Sequence, residues 1–311
     1  MSDRFTTEQV EAWRRDGGVL IPGFFTAEEV AAVVADFETV FGPSRAANEA
    51  MVRVKAGQVG AFNPAQFKNL EIVPLDCSPA LNLIGVHPSL IAFARAALRS
   101  DDVYLYQCQA WAKFTGAADY DQPFHCDFSN HTLVAPSEPG HADVVTILCY
   151  FTDVGEGHGP MHYVVRPDSD PIAGPEDTLS AGKAQAELQR KLAPLARSSA
   201  GPAGSIFPYG IDVYHRGTNL TAPGGHRYAV MSCFKRRSDD TIGFTAWPFH
   251  HGRPWRNIFD HATPEQLACF GVQPPGHPFW TELTLKRAQA RYPGWDLGPY
   301  RAALAKADAA A

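Results

Sequence analysis

His125 and Asp127 stand two residues apart in the run Pro123-Phe124-His125-Cys126-Asp127-Phe128. Side chains of an extended chain alternate faces, so this imidazole and this carboxylate point the same way. Joined by a second imidazole from elsewhere, they would complete the two-histidine, one-carboxylate face that binds non-haem Fe(II). A His-x-Asp triplet alone arises often by chance. The case for a metal therefore rests on what else the chain places near it.

Twelve histidines are available. By residue type His131, His141, His158, His162, His226 and His250 could all supply the third ligand. His215 is favoured because it ends the β-rich run from Ile211. Beyond it, the turn Pro223-Gly224-Gly225 leads into a return strand that begins with Arg227, twelve residues past His215. An arginine suits that position. Its planar guanidinium can grip a carboxylate through two parallel hydrogen bonds, which a lysine ammonium does less specifically.

The elements that must carry these residues read mainly as short strands. Val103–Phe114 is rich in β-formers, and its alternation puts Gln107, Gln109, Trp111 and Lys113 on one face. Because the next strand carries His125 and Asp127, that polar face is expected to look into a site rather than into solvent. Val144–Phe151 reads as a buried strand, and the glycine-rich Gly155–Pro160 turns it into Met161–Val165. Residues 168–200 look polar and partly helical. Further strands follow at Ser205–Phe207, Ile211–His215 and Arg227–Phe234. Many short strands with Gly/Pro turns indicate a β-sandwich or jelly roll rather than a parallel α/β sheet.

The first hundred residues read as a helical frame. Thr6 and Gln9 offer a capping box, Gly17-Gly18 a stop, Val19-Leu20-Ile21 a short strand, and Thr26 with Glu29 a second helix start. Residues 43–68 look like loop, and Leu81–Leu98 reads as one or two buried helices broken near Pro88. From Thr245 the chain is aromatic and irregular, with helix starts at Thr263 and Thr281 and an alanine-rich end from Ala302 to Ala311. This extension is expected to cap the fold rather than to close over a pocket. No repeat or low-complexity linker divides the chain. We expect one domain over 1–311: helical frame 1–100, jelly-roll core 101–237 and C-terminal extension 238–311.

Composition narrows the function classes. The 311 residues are 45% hydrophobic and 19% charged, ordinary for a globular protein with a large core. The formal net charge is −6 and the densest basic cluster is Lys235-Arg236-Arg237, so nucleic acid is not an expected partner. Six cysteines without a C-x-x-C pair suggest reduced thiols. The N-terminus does not read as a signal peptide, and no apolar run reads as a membrane span. A cytoplasmic protein acting on a small molecule is expected, with no membrane partner and an oligomeric state left open.

Taken together, His125-x-Asp127, the distant His215 followed by Gly217-x-Asn219, and Arg227 a dozen residues on resemble the phytanoyl-CoA dioxygenase-like family of Fe(II)/2-oxoglutarate oxygenases. Tyr106-Gln107 running to Lys113, then Thr152-Asp153 and Gly159-Pro160, are similar to the ectoine hydroxylases, and the resemblance covers roughly residues 5–235. It implies a double-stranded β-helix (cupin-like jelly roll) with Fe(II), 2-oxoglutarate and O2 as cofactor and co-substrates. His125, Asp127 and His215 would bind iron, Arg227 would hold the distal carboxylate of 2-oxoglutarate, and Gln107 and Trp111 would neighbour it. His131, Gln109 and Lys113 would line the substrate. One corner departs from the family: Val165-Arg166-Pro167-Asp168 stands where a Pro-Gly-Ser-His run is usual. The resemblance implies hydroxylation with release of succinate and CO2. The carboxylate of Asp127 argues against halogenation, whereas desaturation and ring formation stay open. Two readings from other classes also stay open: a zinc hydrolase using the same three ligands, and a β-sandwich binding protein without metal.

Overall fold

The structure is a computed structural model that describes residues 4–49, 67–116, 121–127, 144–177, 186–236 and 253–308. Its elements follow from local signals in the chain. Helix α1 (Thr7–Asp16) starts at the Thr6–Gln9 capping box and ends where Gly17 takes the left-handed conformation at φ 83°. A Cβ on Gly17 would also lie 2.4 Å from Val213 Cγ2, so this glycine serves both the cap and a close approach. Helix α2 (Ala27–Glu49) begins with reciprocal bonds between Thr26 and Glu29. It continues through Pro43 to Glu49, so the first part of the loop expected over 43–68 is helix and residues 50–66 of that expectation lie outside the described residues; Gly42-Pro43 does not end the helix.

Strand β1 (Leu70–Ile72) precedes α3 (Pro79–Ile84) and α4 (Pro88–Leu98). Each of these helices opens with a proline at its first turn, where the missing N–H costs nothing. The stretch Pro79–Leu98 is long and apolar enough to cross a membrane by composition, contrary to the sequence reading. It breaks between α3 and α4, and 61% of its apolar window is buried in the fold. It is core.

The remaining elements are β2 (Val103–Phe114), β3 (Val144–Tyr150), β4 (Met161–Tyr163), α5 (Arg166–Asp177), α6 (Ala186–Leu192), β5 (Arg197–Ser198), β6 (Ile206–Tyr209), β7 (His215–Gly217), β8 (His226–Arg236), α7 (Arg256–Phe259), α8 (Pro264–Cys269), α9 (Glu282–Arg291) and α10 (Gly298–Asp308). They form a jelly roll of two antiparallel sheets: five strands in the order β1-β2-β8-β3-β6 and three in the order β5-β4-β7. The expected strand at residues 19–21 is an extended segment that bridges β6 at Gly18–Tyr209 and Ile21–Ile206.

Alternation divides the large sheet between two tasks. Cys108, Ala110 and Ala112 of β2, Val145, Ile147 and Cys149 of β3, and Tyr228, Val230 and Phe234 of β8 share one core cluster with the N-terminal helices. Residues of opposite parity look into the roll. A bulge between Leu105 and Gln107 sets this parity. Before it, Val103 and Leu105 face the helices; after it, Cys108 and Ala110 do. The C-terminal aromatics Trp255, Trp280, Trp295 and Tyr300 join that same cluster, and Gln266 and Asn257 bond to the backbone of residues 75–86.

Candidate metal centre

The mouth of the roll is lined from both sheets. Its cavity has a volume of about 510 Å³, with Gln107, Gln109 and Trp111 on β2, Leu148 on β3, Met161 on β4, Tyr209 on β6, and Arg227 and Met231 on β8. His125, Asp127 and His215 lie at its floor. Their ligand atoms are within 4.8 Å of one another, and they form the one such group of three among the described residues.

Backbone carbonyls fix both imidazoles. His125 Nδ1 is 2.9 Å from Pro123 O, and His215 Nδ1 is 2.9 Å from Val213 O. A carbonyl only accepts, so each Nδ1 carries a proton and Nε2 is the nitrogen left to face the cavity as a metal ligand. Asp127 closes the set, with Oδ1 3.7 Å from His125 Nε2 and Oδ2 3.4 Å from His215 Nε2. The His125–His215 pair is an antiparallel bridge, bonded 2.9 and 3.0 Å apart through both backbone N–H groups. No regular strand carries His125 and Asp127. Asp127 N donates to Ile211 O instead, so the loop that leads to His215 also positions the carboxylate. Tyr209, whose hydroxyl lies 3.5 Å from Asp127 Oδ2, is held neutral by burial and by that carboxylate. This donor set of two imidazoles and one carboxylate on one face fits a divalent iron with open positions.

Arg227 sits on the cavity wall only 3% exposed, its guanidinium 5.0 Å from the Trp111 ring centroid. One terminal nitrogen donates to Gly159 O, while Nε is buried without a partner. No carboxylate pairs with it among the described residues, and burial lowers its pKa. Gly159 has to be glycine here: its φ is 68° and a Cβ would lie 2.8 Å from Thr218 O. A buried cation facing a cavity without an acid partner fits an anionic ligand.

The residues expected at the site therefore converge in most cases. Gln107, Gln109, Trp111 and Arg227 line the same cavity as the three ligands. Lys113 is not among the residues lining the cavity; its ammonium is buried and donates to Thr218 O at 2.8 Å. His131 lies outside the described residues. Gln122, Met161, Tyr209 and Met231 line the cavity as well, unforeseen from sequence. The alternation that exposes Arg227 on β8 also predicts Met231, four residues on.

The phytanoyl-CoA dioxygenase family matches residues 13–195, more than half of the chain. The chain belongs to that family. The family uses Fe(II), 2-oxoglutarate and O2. Among curated relatives, ectoine dioxygenase of Bordetella bronchiseptica is 29% identical over 167 residues, covering 52% of this chain and 49% of the relative. The same enzyme of Bordetella parapertussis matches equally. The chain thus spans about half the length of the curated relatives it matches. Among solved structures, SnoK, a non-haem α-ketoglutarate-dependent carbocyclase from nogalamycin biosynthesis, superposes with a TM-score of 0.56 at 19% identity, covering 79% of this chain and 90% of SnoK. EctD from S. alaskensis superposes with a TM-score of 0.52 at 16% identity, covering 82% and 84%. At these identities the likeness bears on the fold, and it agrees with the jelly roll described above.

Proposed function

We propose that this phytanoyl-CoA dioxygenase family member is an Fe(II)/2-oxoglutarate-dependent dioxygenase that hydroxylates an unactivated C–H bond of a small cytoplasmic metabolite. The observation that carries the reading is the pairing of the His125–Asp127–His215 face with Arg227, a buried cation without an acid partner among the described residues, on one cavity. His125 and His215 Nε2 and the Asp127 carboxylate would hold the iron. Arg227 would grip the distal carboxylate of 2-oxoglutarate, with Gln107 and Trp111 beside it. Bound iron and 2-oxoglutarate supply the oxidising chemistry, in which O2 is consumed and 2-oxoglutarate is released as succinate and CO2. The protein orients one C–H bond in a cavity walled by Leu70, Leu148, Met161 and Met231, with the Gln109 carboxamide to position a polar group of the substrate. A zinc hydrolase would have no use for Arg227, which counts against that alternative.

Succinate formation tests the reading. Wild-type protein with Fe(II), 2-oxoglutarate and O2 is expected to release succinate, faster when a compound library supplies the substrate. Arg227→Ala removes one partner of a buried charge pair, a loss of about 2–5 kcal/mol. The KM for 2-oxoglutarate should therefore rise roughly thirtyfold or more. An unchanged KM would remove Arg227 from the co-substrate site.

A further inference from the structure

The C-terminal extension carries a second cavity, which has no task in the function proposed so far. Its volume is about 500 Å³, within the range of small-molecule sites, and it shares no lining residue with the metal cavity. The family match ends at residue 195, whereas this cavity is built from residues between Phe259 and Trp295.

Aromatic rings form its walls. Phe259 and Tyr292 stack with centroids 3.9 Å apart, and Trp295 meets Phe259 edge-on at 4.8 Å and Trp280 at 5.8 Å. Trp280 and Trp295 are buried, and the Trp280 indole N–H donates to Gln273 O at 2.8 Å. These walls are held in place by their own packing, so a ligand entering them orders few side chains. Phe279 stands at the rim, one of two large apolar side chains left exposed among the described residues. The Thr284 hydroxyl donates to Phe279 O at 2.8 Å and ties that rim to α9.

Helix α9 closes the cavity with Thr284, Arg287, Ala288 and Arg291, a single helical face by their spacing. Ala288 is small, which keeps the space between the two guanidiniums open. Arg291 lies over the Tyr292 ring, 5.5 Å from its centroid, and Arg287 is exposed at the edge. No carboxylate is among the lining residues. Asp260, next to Phe259, lies against Gly294 instead, where a Cβ would sit 2.6 Å from its carboxyl carbon. Glu282 lines a different groove, on the other side of α9. Ring faces alone would attract a cation, but two arginines without an acid on the same cavity favour an anion.

We propose that this cavity binds a planar aromatic carboxylate, its ring against the aromatic walls and its carboxylate on Arg287, with Arg291 alongside. The rings supply apolar area and edge-to-face contacts, and a guanidinium can grip a carboxylate through two parallel hydrogen bonds. The site is separate from the metal cavity and does not depend on the co-substrate reading.

Calorimetric titration of the full chain tests this with two probes of one shape, 2-naphthoate and its neutral amide, 2-naphthamide. Wild-type protein is expected to bind 2-naphthoate at one site and the amide about tenfold more weakly, the loss of one charge-assisted contact. Arg287→Glu and Arg291→Glu should each weaken 2-naphthoate about tenfold or more and leave the amide unchanged. Both side chains are exposed, so the fold should survive these changes. Arg190→Glu, an equal change of charge on exposed α6, should leave both probes unchanged. Arg227→Ala should also leave 2-naphthoate binding unchanged, because that arginine belongs to the other cavity. No binding of 2-naphthoate, equal binding of the amide, or equal weakening by Arg190→Glu would overturn the proposal. Loss of binding in Arg227→Ala would place the probe in the metal cavity and overturn it as well.

Discussion

Asp127→Ala is expected to abolish 2-oxoglutarate turnover and to weaken divalent metal binding by about a hundredfold or more. Loss of an outer-shell partner alone typically costs 10–100-fold in metal affinity, and Asp127 is placed as a direct ligand. Its carboxylate sits between the two imidazoles, 3.7 and 3.4 Å from their Nε2 atoms. Without it, only the two imidazoles remain, and the charge that offsets part of the metal's own is gone. The substitution spares what shapes the floor. Asp127 meets Ile211 through its backbone N–H, and His125 and His215 keep their carbonyl partners. Thermal unfolding of the apo protein should therefore change little while metal affinity collapses. An Asp127→Ala protein that still releases succinate at the wild-type rate would remove Asp127 from the ligand set.

Arg166→Ala is expected to destabilise the fold by about 3–5 kcal/mol, the usual loss when one member of a buried ion pair is removed. Arg166 lies in the Val165–Asp168 corner that the sequence reading set apart. Its guanidinium grips both oxygens of Asp212, with Nη2 2.8 Å from Oδ1, and donates to Trp13 O and Arg14 O at 3.0 and 2.9 Å. Those carbonyls end α1, where a cation also meets the negative end of the helix dipole. Asp212 belongs to the loop that serves the metal ligands: Ile211 O receives Asp127 N, Asp212 O receives Cys126 Sγ, and Val213 O receives His215 Nδ1. Arg166 thereby ties the N-terminal helix to the floor of the site. Gly210 leaves the space, since a Cβ there would lie 2.2 Å from Asp212 Oδ1 and 2.5 Å from Arg166 Nη2. Chemical denaturation of the apo protein measures the loss. Arg166→Met combined with Asp212→Leu should recover part of it, because no charge is then left buried alone. A single-variant loss below about 1 kcal/mol, the range of surface pairs, would contradict the clamp.

Much of the site was legible because it lies on regular strands. The period of two placed Gln107, Gln109 and Trp111 on one face, and the cavity wall has all three. His215 and Arg227 could be singled out because they flank a marked turn. The parity switch at the bulge was not legible, since Leu105, Tyr106 and Gln107 give no local sign of an extra residue. Lys113 shares a face with the cavity residues, but strand periodicity says nothing of depth; its ammonium is buried on Thr218 O and does not line the cavity. The continuation of α2 past Pro43 shows tertiary context overriding a local breaker. The role of Arg166 was hidden for another reason. It depends on Trp13, Arg14 and Asp212, which only the fold brings together.

The central claim is that one cavity holds both iron and 2-oxoglutarate. Anaerobic titration of the protein with Fe(II) and 2-oxoglutarate tests it most directly. A weak visible charge-transfer band that grows with 2-oxoglutarate, needs Fe(II), and disappears in Asp127→Ala is the predicted result. If wild-type protein gives no band at saturating Fe(II) and 2-oxoglutarate, the claim is contradicted.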